Sequence, residues 1–91
     1  MEIRKICVLG AGVMGHGIAQ VCAQAGYQVN LQDIKDEFVQ AGINKIRKFL
    51  AGGVERKKMT QDEADAILNR IKVMTDLKEA VKDVDIIIEA I

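Results

Sequence analysis

Apolar positions change their period along this chain, and the changes mark out its elements. "IRKICVLG" carries a continuous apolar run, Ile6-Cys7-Val8-Leu9, that stops at Gly10. Such a run ending in glycine predicts a strand buried on both faces. In "VMGHGIAQVCAQAG" the apolar residues Val13, Met14, Ile18, Val21, Cys22 and Ala25 recur at helical spacing. Gly26 stands where a helix C-terminal glycine belongs. "YQVNLQD" alternates Tyr27, Val29 and Leu31, a second strand closing on Asp33.

The next stretch, "DEFVQAGINKIRKFLAGG", returns to helical spacing. Val39, Ile43, Ile46 and Leu50 form a stripe flanked by Phe49, and Gly52-Gly53 is expected to end the helix. "TQDEADAILNRI" opens with Thr60 and Glu63 at capping-box spacing, and Ile67, Leu68 and Ile71 give it an apolar face. "IKVM" predicts a short third strand, "TDLKEAVKD" a short connecting helix, and "VDIIIEAI" a fourth strand, apolar almost throughout. The order β-α-β-α-α-β-α-β places the chain in the α/β class with a parallel sheet.

Against this order the glycines acquire meaning. Gly10-Ala11-Gly12-Val13-Met14-Gly15 fits G-x-G-x-x-G, follows a strand, opens a helix and lies within a βαβ unit. Gly10 permits the turn out of the strand. Gly12 lets a pyrophosphate approach the backbone, and Gly15 lets the helix pack closely on the sheet. The free N–H groups and positive dipole end of that helix face the phosphates. Asp33 ends the second strand where a dinucleotide-binding fold places its acid. It can accept hydrogen bonds from the adenosine ribose hydroxyls, and its charge repels a 2′-phosphate, which favours NAD(H) over NADP(H). These features predict a Rossmann-type parallel sheet with strand order 3-2-1-4 and flanking helices. In that order the fourth strand lies beside the first, so Glu89, Ala90 and Ile91 approach the cofactor from the far side of the glycine loop. For Glu89 the alternative is a strand end in solvent. His16 follows the motif at the pyrophosphate end, away from a nicotinamide ring, and reads as a polar neighbour of the phosphates, with no catalytic role. Gly17 either allows close helix packing or is neutral.

Composition narrows the picture. Thirteen basic and thirteen acidic side chains give zero net charge, so no field for nucleic acid or a membrane surface is indicated. No apolar run approaches the roughly 20 residues of a membrane span. Cys7 and Cys22 lie in apolar and helical runs and read as reduced thiols of an intracellular, cytoplasmic protein. Strand-like sequence from Ile3 leaves no room for a targeting peptide ahead of it.

"VLGAGVMGHGIAQVCAQAGYQVNLQDI", the long amphipathic helix and the closing "DIIIEAI" together resemble the NAD-binding domain of 3-hydroxyacyl-CoA dehydrogenases, on the 3-hydroxybutyryl-CoA dehydrogenase side of the family. The resemblance covers all 91 residues. It implies interconversion of an L-3-hydroxyacyl-CoA and its 3-oxoacyl-CoA with NAD, in fatty-acid and butanoate metabolism. It carries the cofactor role onto Gly10, Gly12, Gly15 and Asp33, with Ala11, Val13 and Met14 in the same loop and Ala90 and Ile91 opposite. It also implies a helical hairpin near the CoA moiety, which gives "ERKK" two readings: Arg56, Lys57 and Lys58 meet CoA phosphates, or they form a solvated loop. The family's catalytic His–Glu pair and its all-helical dimerising domain match nothing in residues 1–91. The expectation is therefore an N-terminal cofactor-binding part, without catalytic residues or a metal, inactive alone. The glycine pattern by itself also suits other NAD-dependent dehydrogenases acting on β-hydroxyacids or sugar nucleotides, and a non-catalytic nucleotide-sensing module.

Overall fold

A computed structural model describes residues 2–90. Four parallel strands, β1 (Lys5–Leu9), β2 (Gln28–Gln32), β3 (Ile71–Met74) and β4 (Ile86–Glu89), form one sheet in the order β3-β2-β1-β4. Between them lie α1 (Val13–Gln24), α2 (Asp36–Glu55), α3 (Gln61–Asn69) and α4 (Leu77–Val81). The predicted fold class, strand order and element sequence are all present.

Register decides which side chains meet. Ile6, Val29, Ile71 and Ile86 stand in one row across the sheet, and Val8, Leu31, Val73 and Ile88 in the next. Side chains alternate across a strand. Both rows therefore share one face, where they join the core with Ala19 and Ala23 of α1, Val39, Ile43, Ile46 and Leu50 of α2, and Ala64 and Ile67 of α3. The α2 stripe is buried as its spacing predicts. The opposite face holds Cys7, Asn30 and Gln32. Asn30 Nδ2–H donates to the Ala80 carbonyl of α4 at 2.9 Å, and Gln32 Nε2–H to that of Thr75 at 3.0 Å. These bonds explain how two amides tolerate the interior.

α1 is a helix where expected, but its buried face is a different one. Gly15, Ala19, Gln20 and Ala23 point inward, while Val13, Met14 and Val21 are 80%, 68% and 64% exposed. Close approach to the sheet selects small residues there, and the large apolar ones are turned out. The end of α2 is also displaced from the sequence reading. Gly52-Gly53 does not stop it; the helix continues to Glu55. A Cβ on Gly53 would sit 3.2 Å from Met59 Cε, so this glycine makes room for a packed methionine and is not a cap. The stop is a Schellman turn, with Lys57 N–H bonded to the Val54 carbonyl and Lys58 N–H to that of Gly53. Lys57 takes the left-handed conformation, φ 59°, that glycine takes at the end of α1.

The remaining ends follow their chemistry. Thr60 and Glu63 make both bonds of a capping box. Asp76 caps α4 through the N–H groups of Lys78 and Glu79. At the start of the sheet one oxygen of Asp85 accepts from Arg4 N–H at 2.8 Å and Lys5 N–H at 3.0 Å, tying the entry of β4 to that of β1. Those two bonds hold its carboxyl below the usual carboxylate range.

Candidate nucleotide site

The strand ends carry the site. β1 stops at Leu9, and Gly10 turns with φ 102°, a conformation closed to most L-residues. Its N–H donates to the Gln32 carbonyl at 2.7 Å, so the turn is fastened to the end of β2. Gly12 is the N-cap of α1 and offers no side-chain cap, and the first turn holds no acidic residue. The orphan N–H groups of that turn and the positive end of the helix dipole are left for an external anion.

Gly15 is buried, and a Cβ built on it would overlap the Gly10 carbonyl oxygen. The close contact it permits is thus with the loop itself. Gly12 is the opposite case: nothing lies within 4 Å of a Cβ placed there. The two glycines differ: the folded chain requires Gly15, whereas the space beside Gly12 is open.

A cleft of about 500 Å³ opens beside this loop. Its walls are Gly10, Gly12, Val13 and Met14 on one side, Gln32, Asp33 and Ile34 on the second, and Ala90 on the third. The size and the mostly apolar lining suit a small organic ligand. Ala90 is placed by its N–H bond to the Leu9 carbonyl at 2.8 Å. Ile91 lies outside the described residues. Ala11 and Gly15 do not line the cleft: Ala11 is only 3% exposed and packs against α2 at Gly42. They shape the cleft from behind.

Asp33 lines the cleft and is half-buried. Oδ2 accepts from Ala11 N–H at 2.9 Å and Oδ1 from Ile34 N–H at 2.7 Å. A carboxylate has about four lone-pair positions, so two remain for a ligand's hydroxyls. Neither backbone bond is visible in the sequence, although the position of the acid is.

His16 Nδ1–H donates to the Gly12 carbonyl at 2.7 Å, because a carbonyl only accepts. The ring is held along the first turn of α1 and does not line the cleft. Glu89 is exposed at the end of β4. Burial pushes the Cys7 and Cys22 thiols up, so both stay protonated near neutrality, and both are free. Among the described residues no His, Cys, Asp or Glu group is arranged to hold a metal ion.

The cationic segment is divided by the fold. Arg56 joins Lys45, Lys48, Phe49 and Gly52 around an open hollow of about 300 Å³ on the outer surface of α2, while exposed Lys57 and Lys58 belong to the turn beyond it. Lys45 and Lys48 were not among the residues singled out from sequence. Their signal lies in the spacing: Lys45, Lys48, Phe49, Gly52 and Arg56 stand at i, i+3, i+4, i+7 and i+11, one helix face off the buried stripe. A larger depression of about 620 Å³, between α2, α3 and β3, contains no part of the glycine motif.

The chain is similar to known proteins in sequence and in fold. Residues 5–91 match the family described as "3-hydroxyacyl-CoA dehydrogenase, NAD binding domain". The chain is 45% identical over 91 residues to a probable 3-hydroxybutyryl-CoA dehydrogenase of Bacillus subtilis, covering all of this chain and 31% of that protein. It is 43% identical over 90 residues to the fatty acid oxidation complex subunit alpha of Idiomarina loihiensis, covering 99% of this chain and 12% of that one. The crystal structure of the (S)-3-hydroxybutyryl-CoA dehydrogenase of Ralstonia eutropha superposes with a TM-score of 0.94 at 39% identity, over 98% of this chain and 31% of that one. The chain thus spans at most about a third of the length of these relatives. By sequence and by fold it belongs to the family of 3-hydroxyacyl-CoA dehydrogenase NAD-binding domains.

Proposed function

We propose that this chain is the cofactor-holding part of an oxidoreductase that interconverts L-3-hydroxyacyl-CoA and 3-oxoacyl-CoA. The observation that carries the reading is the cleft itself. An uncapped helix N-terminus, an open glycine and a carboxylate with spare acceptor positions converge on one space. NAD, the family's cofactor, fits each of these features. The N–H groups at the start of α1 receive the pyrophosphate, Gly12 leaves room for it, and Asp33 accepts from the adenosine ribose. Held there, NAD would supply hydride chemistry, with hydride passing from the hydroxyl-bearing carbon of the substrate as the hydroxyl proton leaves to a base, or the reverse. The residues lining the cleft bind and orient the dinucleotide; none is a histidine, and the one carboxylate, Asp33, is taken up by two backbone N–H groups and the adenosine ribose, away from the hydroxyl proton. In this reading that base belongs to a part of the whole enzyme outside these residues, as does the helical domain through which two copies pair.

The hollow on α2 takes the nucleotide end of CoA. Lys45, Lys48 and Arg56 supply three cations for its phosphates, and Phe49, 57% exposed, offers a ring face for its base. Lys57 and Lys58 extend the same positive surface. The two free thiols favour a cytoplasmic setting.

Calorimetric titration of the protein with NADH and with NADPH tests the reading. Saturable NADH binding and at least tenfold weaker NADPH binding are expected, with no turnover of 3-hydroxybutyryl-CoA. Equal affinity for both dinucleotides, or clear turnover by these residues alone, would overturn it.

A further inference from the structure

Asp33 makes two bonds that a ribose ligand alone would not need. Its Oδ2 holds the N–H of Ala11, in the middle of the glycine loop, and its Oδ1 holds the N–H of Ile34. The other side of Ala11 is fixed as well. A Cβ on Gly42 of α2 would lie 2.8 Å from the Ala11 carbonyl oxygen and 3.1 Å from its Cβ, so α2 presses on the residue with no room to spare. Ala11 is 3% exposed, and its peptide N–H is therefore shielded from water, which cannot replace the carboxylate. An amide buried in this way costs free energy when its acceptor is removed.

We propose that Asp33 is a positioning residue for the glycine loop before any dinucleotide arrives, and that dinucleotide preference therefore cannot be reset at this position alone. The inference rests on the reading of the cleft as a nucleotide site. Replacing the acid by a small neutral residue removes the charge that repels a 2′-phosphate. It also releases Ala11, and with it the course of the chain from Gly10 to the N-terminus of α1. The pyrophosphate cradle common to both dinucleotides is lost together with the repulsion. Asp33→Ser should then lose NADH affinity without gaining NADPH affinity. Asp33→Asn keeps the shape, but Ala11 and Ile34 are held by different oxygens and one of these positions becomes an NH2 that cannot accept, so in the same rotamer it satisfies Ala11 or Ile34 and not both.

Amide hydrogen exchange without nucleotide reads the brace directly. In the unaltered protein the Ala11 amide is expected to be protected. In Asp33→Ser it should exchange about tenfold faster or more, as loss of a charge-assisted bond implies, with the Val8 amide of β1 unchanged as the control for folding. In Asp33→Asn only one of the two amides should remain protected. Titration with NADPH should show Asp33→Ser binding it no more tightly than the unaltered protein does. An unprotected Ala11 amide in the unaltered protein overturns the proposal without any variant being made. So does an Asp33→Ser protein with normal Ala11 protection, or one that binds NADPH as tightly as the unaltered protein binds NADH. If the unaltered protein binds neither dinucleotide, the cofactor reading fails, while the exchange data still decide whether Asp33 braces the loop.

Discussion

The cleft at the glycine loop and the hollow on α2 are both open to solvent, yet they are fixed by different means. The cleft is shaped by backbone. Gly10 is bonded to Gln32, Ala11 to Asp33, and Ala90 to Leu9, and Gly15 lets α1 touch the loop. The hollow is shaped by side chains. Lys45, Lys48 and Arg56 extend from an exposed helix face, and none makes an ion pair among the described residues. A backbone site has paid most of its ordering entropy during folding, whereas long cations must lose rotamer freedom each time a ligand binds. The cleft should therefore be sensitive to single atoms and the hollow only to charge.

The largest effect tests the first half of that contrast. Gly15→Ala places a methyl group against the Gly10 carbonyl, where backbone must move to admit it. The variant is expected to lose about 3 kcal/mol of stability or more, together with NADH binding. Denaturant unfolding measures the first and calorimetry the second. A Gly15→Ala protein as stable as the parent would show that the loop is softer than its contacts imply.

Gly12→Ala separates folding from binding in the same motif. Its φ of −73° suits alanine, and no atom lies within 4 Å of the new Cβ. Alanine is a poorer N-cap than glycine, so stability should fall by no more than about 1 kcal/mol. NADH affinity should fall about tenfold, the size of effect expected when about 1.4 kcal/mol of binding free energy is lost. Unchanged affinity would mean that the pyrophosphate does not pass over Gly12.

The glycine motif also shows what was legible in the sequence. Gly10 and Gly15 could be read because a left-handed turn and a close approach of backbone to backbone admit almost no other residue. Strand order was legible because alternating strands and helices permit few parallel arrangements. The inward face of α1 was not, since periodicity identifies a helix while Ala19 and Ala23 look no more buried than Val13 or Val21 until the helix is docked. Gly52-Gly53 looked like a stop because the use of Gly53 depends on Met59, six residues on, folding back against it. For the same reason the acid at Asp33 was visible and its grip on Ala11 was not: that bond joins residues 22 apart in the chain.

Asp85 supplies a control for the backbone side of the comparison, because it also gathers two N–H groups yet faces no cleft. Its carboxyl titrates below the usual range in the folded protein. A lowered folded-state value means that the stabilisation is present above the unfolded carboxylate value, near 3.8, and disappears as pH falls through the folded value. Asp85→Asn should thus lower the urea midpoint modestly at pH 7, with the deficit shrinking on acidification and NADH affinity unaffected. A deficit that persists at pH 2 would assign the effect to packing and not to charge.

The smallest effect tests the hollow. Lys48→Ala and Arg56→Ala remove exposed charges without touching the core, so each should shift stability by no more than about 0.5 kcal/mol. Binding of CoA should weaken about threefold for each, as expected of exposed charge pairs. The loss should also be smaller at high salt, where the ionic contribution is screened. Lys45→Ala belongs to the same set, and the three losses should approximately add, because flexible cations meet a phosphate group independently. NADH affinity should be untouched by all three. A single substitution that abolished CoA binding would contradict the contrast itself: it would show a cation held in one geometry, with the hollow built as rigidly as the cleft.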